Sequence, residues 1–421
     1  MTQTIGKVFC SYASANLDEV THFDLALRRQ GVPLWRDRTS LGKGALTVEE
    51  IAQAAKEAAG FTFYLTLEAA QSEWVRERER AVALENSRLD SSFGIVPIFR
   101  HDRKEVTKHM VSLGAIQTAP NGVSPYDLSP FNGYLMNDRA FVEKTEHAEF
   151  SAAANTVLRS LIRSKAKQTG AGSALKIGAI TRSGQLVLNS PVDLLIDWTH
   201  DFPPAAPHFP NCNVSSNVLL NSLTAFSKAV SEEWVAHRGA RFQIVPQCHL
   251  SLALGLGFTF RRNTGAELTV VEPQSGERWI GPRVPMQFTS DLWRVSHRSQ
   301  NGNGVALNVG ISRSVSMDVD ASVEANALDI GHFLNFEPST GCSLNAIPSG
   351  RVELAHQMAV GLVHAIGDFQ ASIGCRPLHL FFAGPAAFAV LLGQQLSNVG
   401  PVQCYEWNVA DRRYVPTLLL Q

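Results

Sequence analysis

The sequence predicts an α/β protein of two domains, the first of them built on a parallel sheet covered by helices. The chain has 421 residues, 45% of them apolar, which is more than one ordinary domain of about 100–200 residues uses. Near the N-terminus, short apolar segments alternate with amphipathic ones, as in a doubly wound sheet. Residues 163–176, RSKAKQTGAGSALK, then break a helical pattern. We therefore expect domains at residues 1–163 and 177–421, joined by a linker at residues 164–176.

The first domain is expected to carry its chemistry on the loops that follow its strands. The predicted strands are residues 7–12, 32–35, 61–66 and 94–99, and the predicted helices are residues 20–29, 51–59 and 73–86. Ligands of such sheets bind beyond the carboxyl ends of the strands, here after Tyr12, Trp35 and Thr66. Residues 104–141 contain three interrupting prolines and predict a loop-rich insertion.

Charge and composition exclude several classes of function. The 37 basic and 38 acidic residues nearly cancel, so a long nucleic acid is not an expected partner, although a pocket could hold a small anion. No apolar run approaches the roughly 20 residues that cross a bilayer. The six cysteines lack metal-ligand spacing and indicate buried thiols in a reducing compartment. We expect a soluble cytoplasmic protein with no membrane partner, no metal and no resident cofactor.

Four segments of the first domain resemble, in the right order, the sequence boxes of TIR domains. These are VFCSYAS at 8–14, WRDRTSLGKG at 35–44, SEWVRERERAVAL at 72–84 and GIVPIF at 94–99. They match the first box, the BB loop, the helix with the catalytic acid and a later strand of that family. The resemblance implies a flavodoxin-like fold and, in enzymatic members, cleavage of NAD as a substrate.

The resemblance places the catalytic glutamate at Glu79, with Glu77 as the second candidate. Family members usually carry it four residues after the helix tryptophan, and that position after Trp74 is Arg78. Alignment from the downstream stretch ERAVAL points to Glu79 instead. A carboxylate there would stabilise the oxocarbenium character that develops as nicotinamide leaves. Alternatively, both glutamates belong to a solvated run of helix ion pairs at residues 76–80.

Other residues of the boxes are expected to bind the substrate. The resemblance implies Phe9, Ser11, Tyr12, Arg36, Asp37, Gly42 and Trp74. The first three end a strand that would face ribose and nicotinamide, and the next three belong to the BB loop. Phe9 has an equally good interpretation as a core residue, and an aromatic at a helix start, such as Trp74, more often packs in the core than against a nucleobase.

Three segments of the second domain resemble the SAVED family. They are FQIVPQCHLSLALGLGFTFRR at 242–262, PLHLFFAGPAAFAVLLGQQL at 377–396 and PVQCYEW at 401–407. The resemblance implies two fused Rossmann-like, or CARF-like, halves that bind a cyclic di- or trinucleotide between them, with the trinucleotide favoured. The expected nucleotide-binding residues are Asp197, Trp198, Thr199, Ser251, Arg261, Gly384, Pro385 and Ala386.

Two strand ends would supply one half of this nucleotide site each. The segment at 190–202 ends in Asp197, Trp198 and Thr199, and a second strand ends at Gly384. Pro385 starts a helix whose free backbone N–H groups could hold a phosphate, with Arg261 as a charged partner. A plain strand-to-helix turn is the alternative interpretation.

Together the resemblances imply a cyclic-oligonucleotide-activated NAD glycohydrolase of a CBASS anti-phage system. Nucleotide binding would select a homo-oligomer or filament with head-to-tail contacts, in which the BB loop of one subunit completes the site of the next. The alternative is a TIR adaptor that assembles under nucleotide control without catalysis.

Overall fold

The computed structural model describes residues 6–36, 48–72, 79–101, 104–106, 108, 131, 133–137, 146–182, 192–204, 207–209, 212–261, 265–273, 275–280, 290–340 and 352–421. The chain divides into two compact units. The first comprises residues 1–173, 193–196 and 228–239, and the second comprises residues 174–192, 197–227 and 240–421.

The first unit contains a parallel sheet of five strands. They are β1 (Val8–Ser11), β2 (Leu34–Trp35), β3 (Gly60–Leu65), β4 (Gly94–Phe99) and β5 (Tyr134–Leu135). Their order is β2-β1-β3-β4-β5, and every neighbouring pair is parallel. From β1 the chain runs to β2 at one edge of the sheet. It then crosses back over β1 and forms β3 on the other side. The doubly wound α/β fold predicted for this domain is therefore confirmed.

Helices pack around this sheet because each offers it an apolar face. They are α1 (Leu17–Arg29), α2 (Val48–Lys56), α3 (Leu67–Gln71), α4 (Arg80–Leu89) and α5 (Glu146–Gln168). Val20, Phe23 and Leu27 of α1 are buried at helical spacing. All six residues of β3 are buried, as expected of a central parallel strand. The end of α5 and the start of the next strand, at Leu175, both fall within the stretch expected to be a linker.

Residues 228–239 group with the first unit although they lie far along the chain. Glu233 in this stretch accepts hydrogen bonds from Arg159 Nη1 at 3.2 Å and from Arg163 Nη2 at 2.8 Å, both on α5. The hydrogen bonds and charge of Arg163 hold the pKa of the Glu233 carboxyl below its usual range, with a smaller contribution from Arg159.

The remaining strands form two further sheets. The first contains β6 (Leu175–Ile180), β7 (Leu194–Asp197), β8 (Arg241–Gln247), β9 (Glu267–Val271) and β10 (Arg278–Ile280), in the order β10-β9-β8-β6-β7. The second contains β11 (Trp293–Ser299), β12 (Gly304–Gly310), β13 (Ile330–Pro338), β14 (Leu378–Ala383), β15 (Val402–Asn408) and β16 (Arg413–Leu420), in the order β11-β13-β12-β14-β15-β16. Its four central strands are parallel and its edge strands antiparallel.

Among the described residues, five helices of ten residues or more accompany these sheets. They are α6 (Ser216–Val230), α7 (Leu250–Thr259), α8 (Ser316–Ala325), α9 (Val352–Ile373) and α10 (Ala386–Gln395). Helix α7 follows β8 and helix α10 follows β14, so each occupies the same place in its own sheet. Both are almost entirely buried.

Helices α7 and α10 cross each other at glycines. A Cβ on Gly257 would lie 2.0 Å from Val390 O, and one on Gly393 would lie 2.1 Å from Leu254 O. Each glycine is the eighth residue of its helix. Helices α7 and α10 are therefore equivalent elements of two Rossmann-like halves. This is the architecture predicted for the second domain.

Candidate functional site

The first sheet has its topological switch point between β1 and β3, because the chain winds in opposite directions from there. Ser11 at the end of β1 pairs with Phe63 of β3, so Ser11, Tyr12 and Thr66 come to the same edge of the sheet. Crevices at such switch points are where open α/β sheets bind ligands. The expected site residues of the first strand thus lie at the place that the topology favours.

A carboxylate from a distant helix meets the first strand at this edge. Ser11 is 1% exposed, and its hydroxyl donates to Glu79 Oε2 at 2.5 Å. Glu79 stands immediately before α4 and is half-buried. Two residues expected in the site, 68 positions apart in the chain, are therefore brought together.

Two polar residues near this edge, Thr66 and Arg100, were not among the expected site residues. The Thr66 hydroxyl, which follows β3, donates to Asn16 Oδ1 at 2.8 Å and accepts from the backbone of α3. Arg100, which follows β4, approaches Glu19 of α1 to 3.2 Å. Thr66 and Arg100 each come directly after a buried strand. A polar residue at that position indicates a possible site residue, and the sequence alone could have identified both in this way.

Phe9 and Arg36 take part in packing and ion pairing within the first unit. Phe9 is 1% exposed and stacks between Trp35 and Phe61, with ring centroids 4.8 and 4.6 Å away. Arg36 Nη2 pairs with Asp24 Oδ2 of α1 at 2.9 Å. Their roles toward a substrate remain predictions, as does that of the half-buried Tyr12. Four other expected residues lie outside the described residues, namely Asp37, Gly42, Trp74 and Glu77.

The six-stranded sheet has its own switch point, between β12 and β14. From β12 the chain passes to β13 on one side, and it later returns to β14 on the other. The backbone N–H groups of Ile311 and Ser312, after β12, donate to Ala383 O at 2.8 and 3.1 Å. The turn after β12 and the turn after β14 are therefore in direct contact.

The expected residues Gly384, Pro385 and Ala386 form this second turn. A Cβ on Gly384 would lie 2.7 Å from the ring of Phe382 and 3.1 Å from Ile311 Cβ, so glycine permits the close approach. Pro385 caps α10 without a side-chain hydrogen bond, and the turn is partly exposed. The first N–H groups of α10 thus receive no hydrogen bond from a capping side chain, and an anion would be favoured at such a helix start.

The equivalent start of α7 is occupied by a side chain of the protein. Glu406 of β15 accepts from Ser251 N at 2.8 Å and from Leu250 N at 3.3 Å. Burial raises the pKa of Glu406, and the two backbone hydrogen bonds oppose that rise. Ser251, expected to bind nucleotide, thus already holds a carboxylate.

The other expected nucleotide-binding residues are dispersed. Asp197 Oδ1 accepts from the backbone N–H and the hydroxyl of Thr199, at 3.0 and 2.7 Å, and Trp198 between them is fully buried. Arg261 lies beyond the C-terminal end of α7, with its guanidinium 4.6 Å from the ring of Phe258. A ten-residue helix is about 15 Å long, and Glu406 at the carboxyl end of β15 lies at the start of α7, so Arg261 is at the far end of α7 from that edge of the six-stranded sheet.

His249 is a further group at the carboxyl end of β8. It is 6% exposed, and its Nε2 lies 2.9 Å from Pro207 O. Burial lowers the pKa of His249 to about 4, so the ring is neutral at neutral pH. Within the described ranges, no group of three His, Cys, Asp or Glu residues could hold a metal ion. No described helix is long and apolar enough to cross a membrane.

Comparison with known families gives two matches in this chain. Residues 8–127 match the family described as "TIR domain". Residues 226–420 match "SMODS-associated and fused to various effectors sensor domain", abbreviated SAVED.

Curated relatives match over a limited length. CD-NTase-associated protein 4 of Enterobacter hormaechei is 25% identical over 174 residues, which is 40% of this chain and 34% of that protein. The protein of the same name from an Acinetobacter species is 27% identical over 131 residues, which is 31% of this chain and 26% of that protein. The matches thus span about a third or less of these relatives.

Solved structures with similarity include the Acinetobacter baumannii Cap4 SAVED/CARF-domain containing receptor. Its complex with the cyclic trinucleotide 2′3′3′-cAAA is 15% identical, covers 96% of this chain and 98% of its own, and has a TM-score of 0.48. The corresponding complex with 3′3′3′-cAAA has the same identity and coverage and a TM-score of 0.46.

Proposed function

We propose that this chain, a TIR domain joined to a SAVED domain, is a cyclic-oligonucleotide-activated NAD hydrolase that serves as an anti-phage effector of a CBASS system. The observation that carries the enzymatic part is the Ser11–Glu79 contact at the switch point of the TIR sheet. A carboxylate at that edge is the group that glycosidic cleavage of NAD needs.

In the proposed reaction, the bond between nicotinamide and the ribose C1′ breaks and nicotinamide leaves as a neutral molecule. Water then adds to C1′, giving ADP-ribose and one proton. The negative charge of Glu79 stabilises the positive charge that develops on the ribose. Ser11, by donating to Glu79 Oε2, holds the carboxylate at the end of β1.

The activator is proposed to be a cyclic di- or trinucleotide, with a trinucleotide favoured. The support is the crevice at the β12–β14 switch point, where the turn Gly384–Pro385–Ala386 offers backbone donors to a phosphate. Asp197 and Thr199 in the other half present polar groups for ribose or base. Arg261 is not included because of its distance from this crevice.

Activation is proposed to act through assembly. A domain that binds a ligand but performs no chemistry controls its neighbour by favouring one state over another. Head-to-tail contacts between subunits, which close into rings or extend into filaments, would complete each NAD site with a neighbour's BB loop. The free thiols of Cys212, Cys248, Cys375 and Cys404 support a reducing, cytoplasmic location.

The testing experiment measures NAD consumption by the full chain with cyclic nucleotides added one at a time. One nucleotide should switch on hydrolysis and increase particle size by light scattering, and Glu79→Gln should abolish hydrolysis while leaving nucleotide binding intact. If Glu77→Gln loses activity and Glu79→Gln keeps it, the assignment moves to Glu77. Retained activity in both variants would reject a role for this acidic segment.

The second candidate function is a TIR adaptor without catalysis. The observation that favours it is the residue four positions after Trp74, which is Arg78 rather than a glutamate. Nucleotide-driven assembly with no loss of NAD would establish the adaptor function.

A further inference from the structure

An arginine that no sequence motif marks lies over the sensor crevice. Arg313 belongs to the turn after β12, and its Cζ lies 5.1 Å from the centre of the Trp407 ring near the end of β15. Strand β14 stands between β12 and β15 in the sheet. The Arg313 side chain therefore reaches across the carboxyl end of β14, beside the Gly384 turn.

Two groups fix the orientation of this guanidinium. Arg313 Nη1 donates to Asp318 Oδ2 in the first turn of α8. The guanidinium also lies against the Trp407 ring. That ring packs edge-on against Tyr414, with 5.3 Å between the ring centroids, and Tyr414 is fully buried. The Arg313 side chain is nevertheless 46% exposed. Within the part of the chain that the structure describes, its Nε and Nη2 groups donate to no partner.

We propose that Arg313 binds a phosphodiester of the cyclic oligonucleotide, as the charged anchor of the crevice. The guanidinium offers an open edge whose parallel N–H groups match two phosphate oxygens. Asp318 and Trp407 hold that edge in place before the ligand arrives, which lowers the entropy lost on binding. The start of α10, on the other face of the same strand end, favours the same charge. This inference rests on the proposed sensing function and names the residue that recognises the ligand's charge.

The chain supplies a matched control in Arg298. Its guanidinium lies 4.1 Å from the Phe333 ring and pairs with Asp320 at 2.5 Å. Arg298 thus repeats the combination of a carboxylate and an aromatic ring. It stands on β11, however, the edge strand on the far side of β13 from the switch point.

The test is calorimetric binding of cyclic triadenylate and cyclic diadenylate to the full chain. Loss of a charged hydrogen bond predicts that Arg313→Ala weakens binding of the ring that the wild type accepts by roughly 10- to 100-fold. Arg313→Lys should restore only part of this loss, because lysine lacks the paired N–H groups of a guanidinium. Arg298→Ala should bind the ring with an affinity within about twofold of the wild type. Thermal unfolding of each variant checks that the fold is kept.

The outcomes separate this inference from the function on which it rests. If the wild type binds a ring and Arg313→Ala binds it equally well, the assignment of Arg313 is overturned and the sensing function stands. If Arg298→Ala weakens binding as much as Arg313→Ala, the effect is one of general surface charge and the assignment also fails. If the wild type binds neither these two rings nor any other cyclic di- or trinucleotide, both the sensing proposal and this inference are overturned.

Discussion

The crossing of α7 and α10 predicts a large penalty for one added methyl group. In Gly393→Ala, the new Cβ would lie 2.1 Å from Leu254 O and 3.0 Å from Phe258 N. Both are backbone atoms of the facing helix, so no side-chain rotation relieves the overlap. The two helices would have to move apart, and that would also separate the two halves of the sensor.

The cost can be estimated from two opposing effects. Glycine to alanine in a helix interior ordinarily stabilises a protein by about 1 kcal/mol. Overpacking of a close-packed core costs about 1–3 kcal/mol and more when backbone must shift; with about 2–4 kcal/mol here, the net cost after that gain is about 1–3 kcal/mol. For a domain of this size, each kcal/mol shifts Tm by about 2–4 °C. We therefore expect Gly393→Ala to lower the Tm of the sensor transition by about 2–12 °C.

Scanning calorimetry of the full chain is the assay, and Gly367→Ala is its control. Gly367 lies within α9, and a Cβ there would meet no atom within 4 Å, so its alanine variant should raise Tm or leave it unchanged. Binding of the activating nucleotide should also weaken in Gly393→Ala, because the start of α10 is displaced. A Tm for Gly393→Ala at or above that of Gly367→Ala would refute the crossing.

Three further predictions concern buried polar groups. Ser11→Ala should slow NAD hydrolysis by roughly 10- to 100-fold through loss of a charged hydrogen bond to Glu79, whereas the exposed Ser14→Ala should not. The pKa of His249 is about 4 in the folded protein and near 6.5 in the unfolded chain. The free energy of unfolding should therefore fall by about 2 kcal/mol between pH 8 and pH 5. In urea unfolding, His249→Phe should remove most of this dependence on pH. The lowered pKa of Glu233 means that Glu233→Gln should reduce Tm at neutral pH, with the difference shrinking as acid protonates the wild-type carboxylate.

The strands β1 to β4 of the TIR domain were predictable because each lies in a short, mainly apolar run, whereas β5 falls in residues 104–141, which were predicted to be loop-rich. The segment predicted at residues 94–99 is β4 without a shift, and that predicted at residues 61–66 is β3 displaced by one residue. Glu79 and Ser11 were found through family boxes. Their hydrogen bond was not predictable, since it joins positions 68 residues apart.

The equivalence of α7 and α10 was hidden because both helices are buried on all sides. Such helices carry no amphipathic period, and a glycine within them has meaning only beside its partner. Arg261 and Arg313 also show that the sequence alone could not identify the arginine at the crevice. Both follow apolar segments, but Arg261 comes after a helix and Arg313 after a strand, and only the strand end lies at the crevice. Local sequence does not separate these two situations.

The two halves of the sensor match in packing but differ in charge. The start of α7 already holds the Glu406 carboxylate, whereas Pro385 caps α10 with no side-chain hydrogen bond. In its ionised form Glu406 repels a phosphate that approaches α7, so an anionic ring should place a phosphate at α10 and be held in the other half through bases and riboses. Glu406→Gln, which removes that charge, should therefore tighten binding of the activating ring in calorimetry, opposite in sign to Arg313→Ala. Weaker binding in a variant that keeps its Tm would mean that Glu406 contacts the ligand through a base or ribose instead.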